Sequence, residues 1–347
     1  SLDSLLDSFA STRIAENMKD DKKTNISRAF EVRESLETRL MRVCGGAMER
    51  ASWATCRRTG AWIGLAMFAA IRGRRETSVQ NVQLAFPELS EAAARQIARR
   101  SAQNFGMMFC EFLHLRTASR EAVRKYCSLD APQHIERALD GGRGAIVLTA
   151  HLGNWEVMGG RLAQEFPLTV IARPTSNSGV ETHIKAVRHA AGMEIISKYD
   201  TGRAALTTLR NNRALGILPD QHGGPDGLLL PMFGHPTRFI AAVARLSLMS
   251  GAPIVPCFGA RRSPWLRDGR ILTHISEGWT VAAESRRKLS TPERDELVRE
   301  GTLRVISVIE DMVRRYPEQW LWMHRRWRPA DARDAARAAT ESRIATE

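Results

Sequence analysis

The sequence predicts an α/β protein: a layered α/β/α domain with a largely parallel central sheet, preceded by an N-terminal helical region. Two patterns carry this reading. From Glu31 to about Tyr126 apolar residues recur at spacings of three and four, the period of a helix. After Asp140 the chain changes to short apolar runs alternating with helical stretches, the order that builds parallel sheets. With 347 residues, 43% of them apolar, there is material for a sizeable core.

The elements follow in order. Residues 1–35 are polar and mixed in charge and are expected to form a loosely ordered arm. They hold no basic segment ahead of an apolar one, so they do not read as a secretory signal. Residues 36–328 form a single domain, with a helical, membrane-facing part over 36–126 and an α/β core over 140–328. The longest apolar run, TGAWIGLAMFAAI over 59–71, is thirteen residues. A spanning helix needs about 20, so this one reads either as a core helix or as a helix lying in the head-group layer. Arg57, Arg58, Arg72, Arg74 and Arg75 fence it. A further helix starts at Ser90, with Pro87 harmless ahead of it.

Beyond Asp140, AIVLTA (145–150) is a buried strand, and HLGNWEVMGGRLAQEF turns into a helix. FPLTVIAR is a strand, HIKAVRHAAGM a helix, MEIISK a strand, Thr201 to Asn211 a helix and ALGILPD a strand. A loop with apolar residues Leu228 to Phe233 follows. TRFIAAVARLSLMSG is expected as a helix opened by Thr237 and Arg238 and closed by Gly251. APIVPCFGARR and RILTHISEGW are strands. A long helix starts from a Ser290 cap with Pro292 in its first turn. Residues 329–347, Ala- and Arg-rich without an apolar stripe, are expected to be a flexible tail.

Charge narrows the partners. The net charge is +13, and 44 of the 51 basic residues are arginine. Guanidinium groups fork onto phosphates and carboxylates, so phospholipid head groups, an acidic carrier protein or nucleic acid all fit, as does a solvated surface written by base composition. Five cysteines (44, 56, 110, 127 and 257), odd in number and never spaced CxxC, fit reduced thiols and argue against a disulfide framework or structural zinc. There is no GxSxG elbow, GxxxxGK[ST] loop, GxGxxG turn after the first clear strand, or HExxH pair, which removes the common hydrolase, nucleotidase, dehydrogenase and zinc-protease readings.

Chemistry concentrates at strand ends, where open α/β sheets bind ligands. His151 arrives at the carboxyl end of 145–150, placed to act as a general base. Gly153 permits a sharp turn or a close ligand, and Asn154 is a candidate cap that puts Glu156 in the first helical turn. A carboxylate near an imidazole fixes its tautomer. The alternative is a capping Asn beside a His and a Glu that decorate a turn. Asp220 and Gln221 land at the end of the 214–220 strand beside the apolar loop, suiting a substrate with one wet and one greasy end. Arg173, in the segment running to Asn177, follows another strand end. Gln319 to Arg328 carries three tryptophans with His324, Arg325, Arg326 and Arg328, fit for a membrane interface, for stacking bases, or for a buried helix end.

Taken together these segments are familiar. HLGNWE resembles the H-x4-D/E box of glycerolipid-type acyltransferases. The ordered series NVQLAFPELS (81–90), HLGNWE, ARPTSN, LPDQ, PMFG, the Thr237 segment, SGAPIVP and PEQWLWMHRRW resembles the late acyltransferases of lipid A biosynthesis, over about residues 40–328. The resemblance implies transfer of a fatty acyl chain from acyl carrier protein, or coenzyme A, to a hydroxyl of a membrane glycolipid, most simply a lipid A precursor. It implies His151 as the base and Glu156 as the group that orients it. Gly153, Asn154, Arg173, Asn177, Asp220, Gln221, Thr237, Arg238, His324, Arg325 and Arg326 would then contact substrates. Backbone N–H groups around Gly153 are the expected oxyanion donors.

No metal and no cofactor beyond the thioester co-substrate is implied. The expected partners are acyl carrier protein, a membrane lipid acceptor and the inner-membrane surface, with no nucleic acid. The expected location is the cytoplasmic face of the bacterial inner membrane, peripheral or monotopic. The GNW core is closer to phosphatidylinositol-mannoside acyltransferases, so such a phosphoglycolipid is the alternative acceptor. A basic nucleic-acid-binding protein is the alternative of a different class.

Overall fold

A computed structural model describes residues 21–197, 201–263, 267–281 and 289–344, with side chains described for 36–197, 202–263, 267–281 and 289–337. Four helices open it: α1 (Asp21–Arg50), α2 (Trp53–Ala70), α3 (Arg72–Ala85) and α4 (Glu91–Leu115). The predicted arm therefore merges into α1 from Asp21, and its first 20 residues lie outside the described part. Hydroxyl caps set two of these starts: Ser52 accepts from Thr55 N–H, and Ser90 from Ala93 N–H.

Helix α2 settles on α4 through small residues. A Cβ added to Gly60 would meet the Gly106 carbonyl oxygen at 2.3 Å, and one on Gly64 the Ala102 oxygen at 2.1 Å. Its other face leaves Trp62 74% and Ile63 44% exposed. The core reading of this segment therefore holds for one face, while the other face is open. Among the described residues no helix is long and apolar enough to cross a membrane.

The helices α5 (Arg120–Tyr126) and α6 (Gln133–Asp140) flank β1 (Cys127–Leu129) and lead into the core. There β2 (Ala145–Leu148), α7 (Trp155–Leu162), β3 (Leu168–Ala172), α8 (Ser178–Ala190), β4 (Glu194–Ser197), α9 (Thr201–Arg210) and β5 (Ala214–Ile217) alternate as predicted. A hairpin of β6 (Leu228–Met232) and β7 (His235–Phe239) follows, then α10 (Ala242–Ser250), β8 (Ile254–Arg261), β9 (Ile271–Ile275), α11 (Thr291–Arg315) and α12 (Pro329–Ile344). A seven-stranded sheet runs β1-β9-β8-β2-β5-β3-β4. Its neighbours are parallel except that β9 is antiparallel to β8.

Period-two alternation splits the core. Ala145 and Val147 face a cluster with Ile135, Met158 and Leu162 from α6 and α7. Ile146 and Leu148 face the opposite cluster, built with α3, α9, α10 and α11. Helices on both faces of a mostly parallel sheet make this an α/β/α protein with a helical N-terminal region, as the sequence indicated.

Two expectations are corrected. Leu228 to Phe239 is a β-hairpin, so Thr237 and Arg238 lie on β7 and open no helix. Residues from Pro329 do not begin a tail but form α12. It is pinned by polar contacts: buried Asp331 accepts from His222 Nε2 at 2.9 Å, and Asp334 pairs with Arg238 at 2.8 Å.

Candidate active site

Sheet register builds the site. In the parallel pair β2–β5, Leu148 lies opposite Ile217, and the next rung continues as Thr149 N–H to the Ile217 carbonyl at 3.1 Å. His151 and Asp220 are each three residues past the Leu148–Ile217 pair, so the two strands deliver them side by side at the carboxyl edge. His151 Nδ1 lies 2.7 Å from Asp220 Oδ1. The other oxygen, Oδ2, accepts the His151 backbone N–H at 2.9 Å and the Trp320 indole N–H at 2.8 Å.

Asp220 is buried, which by itself would favour the neutral acid. The His151 charge and the bonds from His151 and Trp320 outweigh that, and its carboxyl is held down at about 2. A carboxylate only accepts, so Nδ1 carries the hydrogen and Nε2 offers its lone pair. Gln221 Nε2 approaches that lone pair at 3.3 Å, and Trp155 meets the ring edge-on with centroids 5.0 Å apart.

The segment after α11 closes over the dyad. Gly153 N–H donates to the Gln319 carbonyl, and Leu321 N–H to that of His151, both at 3.0 Å. Beyond it, His324 Nε2 accepts the His222 backbone N–H at 3.0 Å. Burial first, then the charges of His151 and Arg326, push the His324 imidazole down to about 3, so at neutral pH it is uncharged. Asn81, His151, Asp220, Gln221, Trp320, Leu321, His324 and Arg326 line a pocket of about 240 Å³. Among the described residues no cluster of three or more His, Cys, Asp or Glu could hold a metal ion.

Behind the site the turn at 151–154 is fixed from below. Asn154 caps α7 through Val157 N–H at 3.0 Å and donates to Glu111 at 2.6 Å. Glu111 forms a wholly buried pair with Arg261 at 2.5 Å and accepts from the Tyr126 hydroxyl at 2.5 Å. Asn104 donates to the Gly153 carbonyl at 3.0 Å. Gly153 has φ +64°, and a Cβ there would meet the Gly259 oxygen at 1.9 Å, so only glycine fits.

The family model of the bacterial lipid A biosynthesis acyltransferases matches residues 51–329. The chain belongs to that family. Among relatives, it is 23% identical over 271 residues to the lipid A biosynthesis palmitoleoyltransferase of Escherichia coli K12, covering 78% of this chain and 83% of the relative. It is 22% identical over 274 residues to that organism's lipid A biosynthesis lauroyltransferase, covering 78% and 84%. The phosphatidylinositol mannoside acyltransferase of Mycolicibacterium smegmatis is 24% identical over 196 residues, 55% of this chain, and the chain spans 64% of that relative's length.

Within this family frame the structure gathers His151, Asp220, Gln221, His324 and Arg326 around one pocket and sends the other expected residues elsewhere. Glu156, expected against His151, is held by Arg188 instead, at 2.6 and 3.1 Å, which ties α7 to α8. The carboxylate that orients the imidazole is that of Asp220. Gly153 and Asn154 are turn and cap, and their N–H groups are bonded, as are those of His151 and Leu152. The expected backbone oxyanion donors are therefore occupied.

Asn177 caps α8 through Val180 N–H and bonds Thr38 and Glu37. Thr237 is fully buried, donating to the Arg326 carbonyl at 2.8 Å, and Arg238 is engaged with Asp334 and with the carbonyls of Pro225 and Gly227. Arg173 and Arg325 are exposed, whereas Arg326 is 1% exposed, so the expected HRR cluster points in different directions. Sequence reasoning missed Arg188 and the anchor roles of Trp320 and Asn104. The β2–β5 register was the signal that would have paired His151 with Asp220.

Proposed function

We propose that the protein transfers a fatty acyl group from a thioester donor, acyl carrier protein or coenzyme A, to a hydroxyl of a membrane glycolipid. The leading acceptor is a lipid A precursor. One observation carries the reading: an imidazole held by a buried, ionised aspartate, in a pocket where its unprotonated Nε2 meets only the Gln221 amide. Nε2 takes the acceptor's hydroxyl proton as the oxygen attacks the thioester carbonyl, and Asp220 stabilises the imidazolium that forms. The leaving sulfur then recovers the proton. Among the described residues no Ser or Cys lines the pocket, which favours direct transfer over an acyl-enzyme.

The open face of α2, with exposed Trp62 and Ile63 between exposed Arg58 and Arg72, supports docking into a head-group layer. A bilayer surface is where both the greasy chain and the glycolipid acceptor reside. The base-stacking alternative loses its residues, because Trp320 and Trp322 are buried and their indole N–H groups are bonded internally.

The deciding assay incubates purified protein with a lauroyl thioester of acyl carrier protein and a tetra-acyl lipid A precursor, reading product mass. Wild type is expected to transfer and His151→Ala to lose transfer; equal rates would overturn the reading. A second acceptor, phosphatidylinositol mannoside, is run in parallel because of the resemblance to the mycobacterial enzyme. Preference for it would reassign the acceptor without changing the chemistry.

A further inference from the structure

We propose that Arg326 is a catalytic residue, its guanidinium Nη2 being the donor that holds the oxyanion formed on the thioester carbonyl. The assignment rests on the acyl-transfer reading above and supplies the group that reading lacks.

The turn next to the base cannot supply it. The N–H groups of residues 151 to 154 donate to Asp220, Ala150, Gln319 and Gly259 in that order. Arg326, in contrast, is a buried cation left incompletely bonded. Nε touches only the thioether of Met232 at 3.4 Å, Nη1 reaches the Arg238 carbonyl at 3.5 Å, and Nη2 has no partner. Among the described residues no carboxylate forms an ion pair with it, and its guanidinium lies 4.5 Å from the centre of the Phe239 ring.

A buried charge without a counter-ion is strongly unfavourable, and a buried donor without an acceptor adds to that. Burial, only partly offset by Asp220 and Asp331, lowers its pKa to about 10, so at neutral pH the charge is present. Such an arrangement is retained where a negative charge will arrive. Arg326 lines the same pocket as His151. A surface phosphate on the acceptor is a poor match for a guanidinium that is 1% exposed.

The step balances. The acceptor oxygen bonds to the carbonyl carbon, its proton passes to His151 Nε2, and the carbonyl π pair moves onto oxygen beside Arg326. When that pair returns, the C–S bond breaks, and the sulfur leaves with its electrons and takes the proton from His151. The products are an ester and a thiol. A preorganised cation in a dry site acts on the charge present only in the transition state, so its effect falls on kcat.

The test measures steady-state transfer from lauroyl acyl carrier protein to the lipid A precursor with Arg326→Met and Arg326→Lys. Met is expected to lower kcat roughly a hundredfold to a thousandfold with KM little changed, and Lys to recover part of it. A structural role would not predict the second readout, a dithioester donor whose C=S accepts hydrogen bonds poorly. Wild type should slow on that donor far more than Arg326→Met does.

Unchanged kcat, a rise confined to KM, or an equal dithioester penalty in both proteins overturns the assignment. Should Met not fold, the Lys protein carries the same comparison. If wild type itself transfers nothing, the acyl-transfer reading falls and the assignment with it. If wild type transfers and His151→Ala does not, an unimpaired Arg326→Met sinks the assignment alone.

Discussion

Replacing Asp220 with asparagine changes one atom and reverses the logic of the site. Oδ2 accepts two N–H groups, from the His151 backbone and the Trp320 indole. The asparagine oxygen must take that side, because an NH₂ there would face two donors. The NH₂ then lies where Oδ1 was, against His151 Nδ1, and can only donate. The imidazole answers by moving its hydrogen to Nε2, the nitrogen proposed to act as base. The analogous change in a serine-protease triad lowers kcat about 10⁴-fold, and a loss of that order is expected here with KM nearly unchanged.

Stability changes separately. Holding the carboxyl at about 2 instead of 3.8 corresponds to about 2 kcal/mol of preference for the ionised form, which asparagine forgoes. The assay pairs kcat on lauroyl acyl carrier protein with ¹⁵N shifts of the labelled imidazole. A variant within tenfold of wild type, or one whose Nδ1 remains protonated, would refute the reasoning.

Other outcomes follow from the same geometry. Glu156→Ala strands Arg188 without its partner in the interior and should cost about 3 kcal/mol of unfolding free energy, read by urea titration, with the Glu156→Gln/Arg188→Met pair recovering part of it. If Glu156 acted on the base instead, the pair would fold normally yet stay inactive. Stability should fall on acidification through two groups: the unfolded chain protonates His324 from about 6.5 downward while the folded one resists to about 3, and the Asp220 contribution is lost as pH falls from about 4 towards 2. Chemical denaturation at stepped pH reads this, and a flat profile from 6.5 to 3 would contradict it. Trp62→Ser with Ile63→Ser should abolish sedimentation with anionic vesicles, removing roughly 3 kcal/mol of apolar transfer, while leaving the melting temperature unchanged.

The sheet was legible because buried parallel strands are written as short apolar runs, and AIVL, ALGI and IVPCFGA stand out from their surroundings. The position of His151 followed, since a strand's end is local information. Its partner was not local. Glu156 is five residues away and Asp220 sixty-nine, and only the pairing of β2 with β5 makes the distant one adjacent.

The hairpin at 228–239 was hidden for another reason. Its turn places Phe233 and Gly234 at φ 50° and 75°, and a phenylalanine gives no hint of a left-handed turn. Helix α12 escaped because Asp331 and Asp334 dock it through His222 and Arg238, and hydropathy periodicity is blind to ion pairs. The sequence offers Arg326 only as one of several substrate-contacting residues: arginine is rarely buried, and nothing in HRRW says which guanidinium turns inward.

The His151 imidazole is held in place by contacts that extend beyond its own loop. Glu111 and Arg261 are both wholly buried, and a buried pair of this kind holds position at the expense of stability. The neighbouring amides extend the network: Asn104 takes Arg261 Nε and returns its amide to the carbonyls of Gly153 and Gln319, while Gln319 brackets the Arg261 backbone with both ends of its side chain. The network therefore links α4, β8 and the 317–322 segment to one turn, and that segment continues into His324 and Arg326. Proton transfer needs the imidazole and the facing groups held to within fractions of an ångström. One buried ion pair sets the position of His151 through Asn154 and Gly153, and that of the opposing wall through Gln319. The helical N-terminal region, by contributing Glu111 and Asn104, is thus part of the site's framework.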